Sequence, residues 1–354
     1  MVASHRIISG HEENAARVSS ELSIFKDRSV ASLSRMVQWF AAVVVCASLG
    51  SSPATVLADE GGASFYIPGL FGSLAAVPGD PGWSIGAIYL HAQSDASATK
   101  NFQIGGSIVA GLSARPDLVL VMPTYTFARP VLGGQATVMV GAGGGTVDVS
   151  AQATLTGPFG RQLSGARSDS LTGASDLYSI GTLKWRGGRN NYMAYAMLGI
   201  PVGSYDKNKL ANISTNHWSL DGGGGYTYFD TVKGREFSAV AGVTYNFENP
   251  DTDYRNGVDG HIDWAASQFF SERMHAGLVG YFYRQLSGDS GSGARLGDFN
   301  SRTNAIGPQV GYFFPFGRGK GYVNLKGYWE FDATHRTEGW NVWLTVGLPI
   351  GAAR

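Results

Sequence analysis

Between Tyr322 and Asp332 the chain alternates strictly: Val323, Leu325, Gly327, Trp329 and Phe331 interleave with Tyr322, Asn324, Lys326, Tyr328, Glu330 and Asp332. A repeat of two predicts a β-strand, because successive side chains leave opposite faces of the ribbon. Glu236 to Phe247 shows the same pattern, with Phe237, Ala239, Ala241, Val243, Tyr245 and Phe247 on one face. Trp340 to Leu348 repeats it, and Leu177 to Trp185, Tyr192 to Pro201 and His261 to Phe270 follow more loosely. Each run spans about 10 to 12 residues, the length that crosses an outer membrane when the strand is tilted, against about 5 or 6 for an ordinary globular strand.

The connections alternate too. Short turns are expected at Arg129 to Gln135, Arg186 to Asn190, Phe229 to Arg235, Ser271 to Arg273 and Phe316 to Gly321. Longer polar segments lie at Thr156 to Ser175, Ser204 to Asn216, Glu248 to Asp259 and Ser287 to Arg302. Short periplasmic turns and long extracellular loops are the arrangement of outer-membrane barrels. The expected fold is therefore all-β: a transmembrane, antiparallel, up-and-down β-barrel of about 12 strands beginning near Trp83. Fourteen stays open, since Gly106 to Phe127 and Gly134 to Leu155 have length to spare for extra hairpins.

Ahead of the barrel, Trp39 to Leu49 form an apolar run preceded by Lys26, Arg28 and Arg35 and followed by Val56, Leu57 and Ala58. Eleven residues are too few to cross a bilayer as a helix, and small residues sit where signal peptidase reads them. Residues 1–58 are expected to be a cleaved secretory leader, 59–82 an irregular N-terminal segment, and 83–354 the barrel. The only cysteine, Cys46, falls in the leader, so neither a disulfide framework nor a cysteine zinc site is expected.

Composition agrees with a lipid-facing barrel. Charged residues make up 15% of the chain, against roughly 25% in soluble domains. Half of each strand must avoid charge, because an Arg or Lys at mid-bilayer costs roughly 2 to 4 kcal/mol. The other half faces a lumen, where alternation puts Lys184, Asp221, Glu236, His261, Asp263, Lys326, Glu330 and Asp332. Lys plus Arg equals Asp plus Glu at 27 each, so no basic field exists to hold nucleic acid. Aromatic residues at Tyr245 and Phe247, Tyr281 to Tyr283, Tyr312 to Phe314, Tyr328 to Phe331 and Trp340 sit where interfacial girdles belong. A soluble sandwich or propeller fits less well: its strands are shorter, its solvent face carries more charge, and no 40-to-50-residue repeat is present.

Residues 60–83 read EGGASFYIPGLFGSLAAVPGDPGW, followed by the strand SIGAIYLHA; later come Met122 to Tyr125 (MPTY) and Gly199 to Gly203 (GIPVG). In these pieces the chain resembles the outer-membrane family named for the meta-cleavage pathway of phenol degradation, a group of transporters often encoded near aromatic catabolism genes. The resemblance implies a barrel in the outer membrane of a Gram-negative bacterium, embedded in lipid and lipopolysaccharide, that passively admits small hydrophobic or aromatic compounds. It implies no catalytic residues and no cofactor, and fixes no oligomeric state. The chain departs from many such barrels in ending on Leu348 to Arg354 (LPIGAAR) rather than on an aromatic residue.

Other motifs read as parts of a wall. Gly82 to Gly86 (GWSIG) matches a nucleophile elbow, which needs a strand before the serine and a helix after it; here Pro-Gly pairs precede and a strand follows. Gly141 to Gly145 and Gly222 to Gly225 lack the lysine and helix of a phosphate cradle. The irregular segment is apolar through Phe65, Tyr66, Leu70, Phe71 and Leu74, which need cover. It is expected to tuck into the lumen as a plug or gate, against the alternative of a periplasmic tail or a cap on the turns. Two further readings remain: a closed structural or adhesion barrel working through its loops, and an outer-membrane hydrolase.

Overall fold

A computed structural model describes residues 64–96, 101–104, 107–156, 162–295 and 300–352, and the expected leader lies outside them. The described elements are strands: β1 (Gly82–Asp95), β2 (Asn101–Ile104), β3 (Ser107–Ala110), β4 (Leu112–Thr126), β5 (Gln135–Thr156), β6 (Gln162–Ala174), β7 (Leu177–Gly187), β8 (Asn190–Ile200), β9 (Ser219–Asp230), β10 (Arg235–Asn246), β11 (Asp259–Phe269), β12 (Met274–Gln285), β13 (Arg302–Phe316), β14 (Gly319–Thr334) and β15 (Glu338–Ala352). Twelve close into an antiparallel barrel, each paired with its sequence neighbours once β2, β3 and β6 are set aside. The seam is β1 on β15, paired from Gly82 opposite Ala352 to Asp95 opposite Glu338 with one register shift between Trp83 and Ser84. Closure leaves no unpaired barrel edge in hydrocarbon, where an unmet backbone group costs several kcal/mol. Of the two regions with length to spare, Gly134 to Leu155 lies within the one long strand β5, and Gly106 to Phe127 holds β4 and also β3, whose hairpin with β2 is a separate two-stranded sheet, so the barrel count is twelve.

Alternation sorts the side chains by environment. Outward positions through the middle of the wall include Val121, Val138, Val243, Leu278, Ile306, Val310, Leu325 and Leu344, large, apolar and exposed. Charge is sparse on this face: Asp117 of β4, outward and two residues above Val119, is met by the Tyr89 hydroxyl at 2.7 Å and by His91 at 2.8 Å. A strand of 11 or 12 residues tilted by about 45° rises roughly 25 to 28 Å, the height of an outer-membrane apolar band. Exposed aromatics flank the band, with Trp83, Phe237, Phe270 and Phe316 toward the short turns and Tyr245, Phe247, Trp329, Phe331 and Trp340 toward the long loops. The girdle expectation needs correction at Tyr281, Tyr283 and Tyr328, which are fully buried. Their neighbours Phe282 and Trp329 take the lipid side, and a strand cannot send two adjacent residues the same way.

The long-loop end carries more structure than polar loops. Thr156 to Ser175 was expected to be loop, yet Gln162–Ala174 forms β6, paired along the outer half of β5 from Gly144 to Thr156. On that edge β5 pairs with β7 only from Gln135 to Gly141, so it changes partner within Gly141 to Gly145. Glycine is required there: a Cβ on Gly143 would sit 1.8 Å from the Val119 carbonyl oxygen, and one on Gly145 would sit 1.9 Å from that of Asp117. The run is a place of close strand approach. Above it a small apolar core joins the loops to the wall: Phe102 and Ile104 of β2, Leu210 and Ala211, and Tyr254 pack against Leu112, Val147 and Val149. Buried Gln103 ties the β2–β3 hairpin to the loop after β12, donating to the Gly293 carbonyl and accepting from the Arg295 amide at 3.2 Å.

Candidate functional site: the barrel interior

Residues 64–77 run along the barrel interior, in contact with inward-facing side chains from most of the strands between β7 and β14. At the long-loop end Arg336 donates to Ser64 Oγ at 3.4 Å, and at the short-turn end Lys184 of β7 donates to the Val77 carbonyl at 3.4 Å. Between them the segment is held chiefly by two carboxylates. Asp263 of β11 accepts from the Tyr66 hydroxyl (2.7 Å) and from the Gly69 and Phe71 amides (2.9 Å each). Glu236 of β10 accepts from the Leu74 amide at 3.0 Å and from Ser73 Oγ at 2.8 Å. A charged acceptor roughly doubles the strength of a hydrogen bond, and an irregular segment has no backbone partners of its own for these amides.

Lys326 of β14 works from the opposite side. Its ammonium donates to the Gly69 carbonyl at 2.5 Å, and the Tyr328 hydroxyl reaches the same oxygen at 3.3 Å. The Gly69 peptide is thus gripped at N–H by an anion and at C=O by a cation. Gly69 adopts φ of +90°, and a Cβ there would lie 3.0 Å from the Tyr328 ring. Both facts call for glycine. Below it, Ser73 Oγ also meets Ser267 and Gln309, and the Ala76 amide donates to Thr227 Oγ1 at 3.0 Å.

His261 of β11 lies beneath the Tyr66 ring, centroids 3.3 Å apart and nearly parallel. Its Nε2 is 3.0 Å from Asp221 Oδ2 of β9 and 3.3 Å from the Tyr195 hydroxyl of β8. Thr244 donates to the same Asp221 oxygen at 2.6 Å. Apolar packing completes the seat: Phe65 stacks on Tyr178, Phe71 tilts against Tyr195, and Leu70 touches clusters on both sides of the lumen. Leu74 turns at φ of +64° as its amide meets Glu236.

Of the eight polar residues expected to face the lumen, Lys184, Glu236, Asp263 and Lys326 bond the segment directly and His261 stacks on it. Asp221 acts through His261. Glu330 lies higher, accepting from the Tyr281 hydroxyl and the Gly339 amide. Asp332 is at the exposed rim and pairs with Arg302 at 2.9 Å. The uncharged partners Thr227, Ser267 and Gln309 carry no charge to mark them in the sequence, and Tyr328 belongs to the seat rather than to the girdle. Ser267 and Tyr328 share the inward parity of Asp263 and Lys326, which was the available signal. Ser84 of the GWSIG match lies on β1 between Thr124 of β4 and Pro349 of β15, a strand position rather than an elbow.

Residues 97–346 match the family described as "Putative MetA-pathway of phenol degradation". The chain belongs to this family. The match contains MPTY and GIPVG but starts after the EGGASF opening. Among solved structures this family member is similar to the COG4313 outer membrane channel from Pseudomonas putida F1, with 14% identity, 80% of this chain and 99% of that chain covered, and a TM-score of 0.61. A Pseudomonas aeruginosa FadL homologue matches at 7% identity, 76% and 90% coverage, and a TM-score of 0.35. The translocator domain of the autotransporter NalP from Neisseria meningitidis matches at 11% identity, 78% and 91% coverage, and 0.38. No curated protein matches. The family, the closed twelve-stranded wall and its apolar band make the protein a barrel of the Gram-negative outer membrane.

Proposed function

We propose that the protein is a passive outer-membrane channel for small hydrophobic or aromatic compounds, without catalysis of its own, and that residues 64–81 are its gate. The observation that carries the reading is the double grip on the Gly69 peptide by Asp263 and Lys326, inside the barrel. A structural tether would need one firm anchor. A gate needs contacts distributed along its length, each worth only about 1 to 3 kcal/mol, so that the whole holds while the parts can exchange. The apolar side chains Phe65, Leu70 and Phe71 give the interior a surface over which a hydrophobic solute passes with little desolvation cost, whereas a hydrated ion meets none of the water it would lose.

Planar-bilayer recordings test the reading. The full chain should conduct little, and removal of residues 64–80 should raise single-channel conductance several-fold. Equal conductance with and without the segment would overturn the gate, and a full-chain conductance like that of a wide general porin would overturn the narrow path. Vesicles carrying the protein should take up toluene faster than empty ones while excluding glucose.

A further inference from the structure

Between the N-terminal segment and the loops above it lies a cavity of about 290 Å³. Its floor is Ser64, Tyr66, Ile67 and Pro68, and Leu210, Ile213 and Thr215 form its roof. One wall, from β1, β4 and β5, is aliphatic: Leu90, Leu112, Leu118, Val147 and Val149. Elsewhere rings from Tyr66, Tyr178, Tyr205, Tyr281 and Trp343 share the lining with uncharged polar groups such as Asn212, Asn256, Thr337 and Asn341. An apolar cavity of roughly 150 Å³ already takes benzene, so this space fits one or two rings. Faces and edges of the surrounding rings would meet an aromatic guest in the offset and edge-on arrangements that add to simple burial.

The charged groups on the lining already have partners. Both Glu330 oxygens are taken, by the Tyr281 hydroxyl at 2.6 Å and the Gly339 amide at 3.0 Å. Asn341 accepts from Trp343 Nε1 at 2.9 Å and donates to Tyr281. The Arg336 guanidinium packs 4.4 Å over the Tyr283 ring and reaches Ser64. Burial pushes the His217 imidazole below its ordinary range, so it is neutral at pH 7. A charged guest would be desolvated here without an uncommitted counter-charge to meet it, while an uncharged ring loses nothing.

We propose that this cavity is a binding site for uncharged aromatic molecules of one or two rings. The proposal rests on the uptake reading for what brings the guest there, but binding can be read without transport. Because Tyr66 is at once the cavity floor and a donor to Asp263, a guest that displaces its ring also loosens the segment.

The purified full chain, held in an amphipathic polymer at pH 7, is titrated with naphthalene, p-cresol, benzoate and decane, following tryptophan emission and heat. Naphthalene and p-cresol should bind saturably, with benzoate roughly tenfold weaker or worse. Leu118→Trp and, separately, Val149→Phe fill the space and should weaken naphthalene at least tenfold, whereas Val138→Trp, on the lipid side, should leave it unchanged. Benzoate binding as tightly as p-cresol, decane as tightly as naphthalene, or undiminished naphthalene binding in a filled variant that keeps folded-barrel gel mobility would each overturn the proposal. If one filled variant fails to fold, the other decides. Binding without vesicle uptake would sink the channel reading and leave this one standing; uptake without saturable binding would do the reverse.

Discussion

Asp263 takes three donors from one short stretch of chain, and removing its carboxylate leaves two amides and a phenol buried without acceptors. Asp263→Ala should weaken docking of the segment by about 3 kcal/mol, raising the open fraction roughly a hundredfold in single-channel recordings. Asp263→Asn keeps one acceptor oxygen but turns an NH2 toward a donor, so an intermediate open fraction is expected. An unchanged trace for Asp263→Ala would remove this residue from gating. Period-two alternation identified Asp263, Glu236 and Lys326 as inward-facing, because a mid-strand charge on an outer-membrane barrel can go nowhere else. It did not tell that all three converge on residues 69–74. That depends on the stagger between strands far apart in sequence, which face parity does not contain.

At the scale of elements, the partner change of β5 and the short turns are each testable. Gly143→Val would drive a side chain into the Val119 carbonyl, and the expected outcome is a several-fold loss of the heat-modifiable, folded band on gels. Single cysteines should report orientation. Lys207→Cys in a long loop should react with an impermeant maleimide on intact cells, and Val232→Cys in a short turn should react only after the outer membrane is opened. The reverse pattern would invert the barrel. The strands and short turns were legible because each run repeats one simple rule. The strand β6 and the β2–β3 hairpin were not: β6 is polar and glycine-bearing, the hairpin strands are only four residues long, and neither carries a lipid face to impose a long alternation. The apolar residues that fasten them, such as Phe102, Leu210 and Tyr254, are single residues that find one another only across loops.

For the whole molecule, the apolar outward band predicts how substitutions divide. Leu278→Arg, half-exposed on the lipid face of β12, should lower unfolding free energy in bilayers by about 2 to 4 kcal/mol, measured by denaturant titration. Gln309→Lys, turned inward, should cost less than that, and equal costs would mean the wall does not separate oil from water. The barrel seam has a practical corollary. Strand β1 follows the interior segment without a break, and it is the strand on which β15 zips shut. Ser64, where Arg336 reaches it, therefore sits inside the cylinder beside Tyr66. A bulky reporter fixed at Ser64 would crowd the space above Tyr66, while one at Val232 in a short turn would stand in solvent, so the choice of labelling position alone should decide whether a purified sample behaves like the native protein.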